Sequence, residues 1–179
     1  MLCRTAALLC LIALLGFVAP AAASDRAALE ADARTSLKTL VASQPYTEDM
    51  LNRAAGVLVF PDILKAGLLL GGAAGEGVLF INNEAHSYYQ SHAASFGLQA
   101  GVAKFGYVML FMDQAALDFA VASEGWEVGV GPNVTVADEG FAKKLSTTTT
   151  QEGIFVFFLD QEGLFAGAGI EGTKISKAE

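Results

Sequence analysis

The sequence predicts an α+β domain: a strongly curved, mostly antiparallel, glycine-rich sheet with an N-terminal helix and one or two further helices packed on it. Three observations predict it. An apolar stripe of helical period occupies residues 24–43. Beyond Gly56 the chain breaks into short β-branched and aromatic runs separated by turn residues. Glycines recur within those runs at two- and four-residue spacing.

The first segment, MLCRTAALLCLIALLGFVAPAAA, carries one positive charge at Arg4, an apolar run over 6–18 and small residues at Ala21 and Ala23. That is the layout of a secretory signal peptide (residues 1–23) cleaved before Ser24. An uncleaved membrane anchor is the alternative; Pro20 and the small residues after it favour cleavage. Neither Cys3 nor Cys10 follows the small residues of a lipoprotein site, and both cysteines leave with the leader. Export puts the chain in the periplasm or outside the cell. Residues 24–179 then form one domain without disulfide, thiol nucleophile or cysteine metal ligand.

The helix over 24–43 rests on Leu29, Ala33, Leu37, Leu40 and Val41, which share one face, with Ser24 or Asp25 as cap. SQPY ends it, and TEDMLNRAA reads as a second short helix entered at Thr47. Strands follow at VLVF, AGLLLGG, EGVLFIN, AHSYYQS, ASFGLQAGV and FGYVMLFM. NNEA (82–85) and DQEG (160–163) have hairpin-turn chemistry. DQAALDFAVASE (113–124) reads as a helix capped by Asp113. WEVGVG, NVTVA, GIFVFFLD and LFAGAGI follow as strands, with a short helix near 141–145. IFVFFL is apolar on both faces, as in a strand buried between sheet and helix; the wall of a lipid pocket is the alternative. No repeat or low-complexity segment divides the chain.

The stretch GLLLGGAAGEGVLF (67–80) tests the glycines. A phosphate loop has the spacing of Gly72 and Gly77, but Val78 and Leu79 stand where Lys and Ser/Thr belong. Glu76 adds negative charge, and VLFIN reads as strand, not helix. Glycine weakens a strand unless a bend, a bulge or another backbone needs the space. The pairs Gly75/Gly77, Gly97/Gly101 and Gly167/Gly169 therefore read as a stripe that lets the sheet curve or accept a helix closely.

RAAGVLVFPDILKAGLLLGGAAGEGVLF, SFGLQAGVAKFGYVMLF, GWEVGVGPNVTVADEG and GLFAGAGIEGTKI, in that order, resemble the SYLF-domain family over about residues 53–175. Eukaryotic members are known as actin- and phosphoinositide-binding proteins, and secreted bacterial members as lipid-binding SYLF proteins. The resemblance implies a lipid-associated binding domain rather than an enzyme, and it carries no catalytic residue over. Eukaryotic membrane binding is attributed to a basic, amphipathic N-terminal segment. Here the matching helix balances Arg26, Arg34 and Lys38 against Asp25, Glu30 and Asp32. Actin, a cytosolic partner, conflicts with the export signal.

Charge narrows the partners further. The chain has a net charge of −8, and removal of Arg4 leaves ten basic residues against 19 acidic ones, or −9. Such a surface is a poor match for nucleic acid. His86 and His92 would lie roughly 20 Å apart on one strand, so they do not suggest a shared metal site. STTTT (146–150) offers hydroxyls to a headgroup, but reads equally as a polar strand approach. Trp126, Tyr88 and Tyr89 suit either a core or a membrane interface. Arg53, Lys65, Lys104, Lys143 and Lys144 are the basic residues available for lipid headgroups. The expectation is a non-catalytic lipid-binding domain that uses no cofactor or metal and meets a lipid or membrane surface. A structural or protein-interaction module, with homo-oligomer formation through its sheet, is the rival.

Overall fold

Helices α1 (Ala21–Ser43) and α2 (Thr47–Arg53) open the computed structural model, which describes residues 21–67, 70–96, 101–128, 131–137, 153–162 and 172–178. The strands are β1 (Gly56–Gly67), β2 (Leu70–Ile81), β3 (Glu84–Phe96), β4 (Gly101–Phe111), β5 (Gly125–Glu127), β6 (Val134–Val136), β7 (Ile154–Glu162) and β8 (Thr173–Lys177). Helix α3 (Gln114–Ala122) links β4 to β5. Together the strands form one curled sheet in the order β5-β8-β3-β2-β1-β4-β7-β6. Among the described residues only the β6–β7 pair is parallel. The stretch β3-β2-β1-β4 is a Greek key, in which β4 returns to the far side of β1.

Side-chain alternation feeds a core on each face of the sheet. Val57, Val59, Val78, Val108, Leu110, Phe155 and Phe157 face α1 and α2, where Ala33, Leu40 and Met50 are buried. Leu29 and Leu37 pack at the margin of that core, so the helical stripe is used as expected. The opposite parity (Leu58, Phe60, Leu79, Met109, Phe111, Ile154, Val156) faces α3 through Ala116, Leu117 and Ala120. IFVFFL contributes to both cores, so β7 is a strand covered on both faces.

The curvature has a local cause. The register of β1 shifts against both neighbours around Pro61 and Asp62, which sit in a bulge where proline's missing N–H is tolerated. Glycines on the flanking strands make the room. A Cβ on Gly75 would lie 2.2 Å from the Asp62 carbonyl oxygen, one on Gly77 2.7 Å from that of Val59, and one on Gly106 2.6 Å from that of Pro61. Gly72 and Gly77 lie within β2, so no loop or helix N-terminus stands there to hold phosphate.

Several boundaries differ from expectation. Helix α1 already includes Ala21, the first described residue, so Ser24 and Asp25 fall inside it rather than capping it. Pro61 bends β1 instead of ending it, which joins VLVF to the start of AGLLLGG. ASFGLQAGV is divided between two strands: Phe96 pairs in β3 against β2, and Gly101 in β4 against β1. Strand β7 runs through Glu162, so DQEG does not turn at its first three residues. Strand β8 was not anticipated, since TKISK carries few apolar residues. Gly97, Gly167, Gly169, the helix near 141–145 and STTTT lie outside the described residues.

Within the α3-side core, the Tyr107 hydroxyl donates to Ser91 Oγ at 2.8 Å, both residues being buried. Burial pushes the phenol well above its ordinary value of 10.0, against a smaller opposing effect of the Ser91 bond. The unfolded chain releases this proton near pH 10 while the folded one keeps it. Stability from this group is therefore full below about pH 10 and declines as the pH rises further. Urea midpoints should hold to about pH 9 and then fall. Tyr107→Phe should flatten that fall while costing roughly 1 kcal/mol at neutral pH. An unchanged alkaline slope would remove Tyr107 as its source.

Candidate functional site

Helix α1 covers only part of its face of the sheet. Beyond the bulge the same face continues uncovered by the described helices. The register there sets Leu64 beside Ala74 and Lys104, and Ala66 beside Gly72 and Val102. Leu64 is 58% exposed and Val102 65%, the largest values among the exposed large hydrophobics of the described residues. The rim is polar but locally neutralised: Lys104 Nζ lies 2.8 Å from Asp62 Oδ1. Such exposed pairs contribute about 0–1 kcal/mol. What this surface offers chemically is apolar contact.

The N-terminal helix offers much less. Its apolar stripe is in the core, and two of its three cations are stacked on sheet aromatics. Arg26 lies 4.7 Å above the Tyr88 ring, and Arg34 lies 4.8 Å above Phe80. Arg34 also donates through Nη1 and Nη2 to Asn83 Oδ1 and its backbone oxygen, each at 3.1 Å. The Tyr88 hydroxyl donates to Glu30 at 2.6 Å, a bond that raises the phenol's pKa ahead of burial and the Glu30 charge. These contacts clamp α1 to β2 and β3.

The sequence-selected cations are dispersed. Arg53 ends α2, with Nε 3.1 Å from Asp49 Oδ2, at the opposite end of β1 from Lys65. Lys65 pairs with Ala73 and Ala103 on the α3 side of the sheet, whereas Lys104 lies on the α1 side with Leu64. Lys143 and Lys144 lie outside the described residues. His86 and His92 both occupy β3, beside Ser87 and Gln90 respectively. Among the described residues, no cluster of three or more His, Cys, Asp or Glu could hold a metal ion, and no helix is long and apolar enough to cross a membrane.

Sequence reasoning passed over Leu64 and Val102. Their signal was present, since each alternates with a lysine or alanine in ILKAG and GVAKF. It could be read only once the bulge had fixed which parity faces outward.

Comparison with known proteins adds an independent line. The family model for Ysc84, described as Las17-binding protein actin regulator, matches residues 92–179, from within β3 through β8. LAS seventeen-binding protein 3 of Saccharomyces cerevisiae, in strains YJM789 and ATCC 204508 / S288c, is 30% identical over 143 residues. The alignment covers 75% of this chain and 30% of each relative, so the chain spans under a third of their length. The model match over the second half of the chain and the relatives' wider alignment agree with the glycine-lined sheet and its ordered sequence blocks: the chain belongs to the Ysc84-type SYLF-domain family.

Proposed function

We propose that this protein is an exported, non-catalytic lipid-associating domain, working in the periplasm or outside the cell as residues 24–179. The uncovered Leu64–Val102 face carries the reading. Burying one such side chain contributes about 1.5–3 kcal/mol. A basic residue near an anionic bilayer contributes about 1 kcal/mol, and the chain's net charge of −8 opposes even that. Apolar contact therefore dominates. Lys104 and Lys65, with Arg53, Lys143 and Lys144, supply only local headgroup contacts.

Co-sedimentation with phosphatidylcholine vesicles tests this. Binding should survive about 0.5 M salt, where exposed charges are screened within a few ångströms. Replacing Leu64 and Val102 together by Ser should weaken it about tenfold or more without lowering the melting temperature. Binding that vanishes with salt and requires phosphoinositide would instead assign the contact to a basic site.

A second reading is favoured by the names of the relatives, which describe binding to a protein partner. In that reading the same exposed face docks a protein or a second copy of this chain. Failure to bind any vesicle, together with the absence of co-purified lipid, would favour it. Actin itself would be out of reach of an exported chain.

A further inference from the structure

A cleft lies away from the Leu64–Val102 face, between the two N-terminal helices and the β2–β3 turn. It encloses about 410 Å³, within the range of small-ligand sites. Its apolar side is formed by Leu37, Leu51, Val57 and Phe80. Its polar side is formed by three amides from two separate elements: Asn52 on the last turn of α2, and Asn82 and Asn83 in the turn.

The amide side is pre-organised. Asn82 and Asn83 both have positive φ (52° and 65°), the pairing of a type I′ hairpin turn. The Arg34 fork holds Asn83 by its side-chain and backbone oxygens, which leaves the Asn83 amide NH₂ available as a donor. Asn52 and Asn82 make no side-chain hydrogen bond among the described residues, so each brings a carbonyl acceptor and two N–H donors. Among the described residues that line the cleft, none has a titratable side chain.

Donors and acceptors on one wall, apolar surface on the other and no charge together define the ligand's chemistry. A hydroxyl both donates and accepts, and so matches an amide; the C–H face of a sugar or polyol matches leucine, valine and phenylalanine. Among the described residues, phosphates and carboxylates find no cation lining the cleft, and the nearby Arg34 guanidinium is committed to Asn83 and Phe80. We infer that this cleft binds a neutral polyhydroxy group, a sugar or polyol, either free or as the head of a lipid. This goes beyond bilayer association and uses different residues.

The test is a titration of the isotope-labelled protein, from residue 24 onward, with methyl β-glucoside, read from side-chain amide NMR signals. The Asn52, Asn82 and Asn83 signals should shift together and saturate with a dissociation constant on the order of 1 mM. The affinity should be unaffected by about 0.5 M salt. Asn52→Ala combined with Asn82→Gly, which keeps the positive φ available, should weaken binding about tenfold. Should that variant melt early, Asn52→Ala alone, at an exposed position, carries the comparison.

A parallel arm uses phosphatidylcholine vesicles with and without a galactosyl diacylglycerol. Amide shifts with the free glucoside alone support a soluble sugar; shifts with both probes support a lipid headgroup. Absence of shifts with both probes, or variants that bind as tightly as the parent, overturns the inference. Loss of binding to plain phosphatidylcholine vesicles in the Leu64 and Val102 variant, with the glucoside shifts retained, separates the fate of this site from that of the bilayer surface.

Discussion

Gly75→Ala is expected to destabilise the fold by about 3 kcal/mol, at the upper end of the usual cost of overpacking. For a chain of this size that is a fall in melting temperature of about 6–12 °C. The added methyl would meet the Asp62 carbonyl oxygen at 2.2 Å and Ile63 Cδ1 at 2.6 Å. The side-chain atom can rotate away. The carbonyl belongs to the bulge that bends β1, so relief there requires the strand itself to move. Gly72→Ala is the control on the same strand: its nearest contact would be the Ala93 oxygen at an ordinary 3.6 Å. It should change stability by less than about 0.5 kcal/mol. Thermal melts followed by circular dichroism decide between them. Equal effects at the two positions would show that the bulge does not impose the demand.

The second large effect is expected at Asp113. One carboxylate oxygen accepts from the Ala116 N–H at 2.8 Å and caps α3; the other accepts from the Gly153 N–H at 2.6 Å, ahead of β7. Around the same point, the Met112 N–H donates to the Gly153 oxygen and the Ile154 N–H to the Asn133 oxygen. One side chain thus ties the end of β4, α3 and the start of β7 together. Asp113→Ala should cost roughly 1 kcal/mol for the cap. Stranding the Gly153 N–H should add about 1–3 kcal/mol. Asp113→Asn keeps one acceptor oxygen and turns an NH₂ toward a second donor, so it should recover only part of the loss. Chemical denaturation of the three proteins provides the comparison; full recovery in the Asn variant would mean that only the cap matters.

Much of this architecture was legible because its determinants are local. The stripe of Ala33 and Leu40, the Asp113 cap, the Asn82–Asn83 turn and the two-faced IFVFFL strand each announce themselves within a few residues. What was not legible depends on partners distant in sequence. A strict alternation carried from Val57 and Val59 through Pro61 and Asp62 would turn Leu64 away from the α1 face. The extra bulge residue reverses the parity and leaves Leu64 beside Val102 on that face instead. Likewise, Arg34 and Asn83 are 49 residues apart, and no spacing rule brings a helical arginine to a hairpin turn. Strand β8 gains its place by pairing with β3 and β5 rather than from its own composition.

The Greek-key order has a consequence for how the chain reaches this structure. On one side β1 meets β2, its neighbour in sequence; on the other it must wait for β4, which brings Gly56 against Phe111 and Gly67 against Gly101. A hairpin such as β2–β3 closes in about 1–10 μs, whereas pairing across a long intervening segment first incurs loop-closure entropy. The two edges of the same strand therefore mature on different clocks. Refolding should be limited by the β1–β4 seam, placing the chain among slow, topology-limited folders despite its helical start.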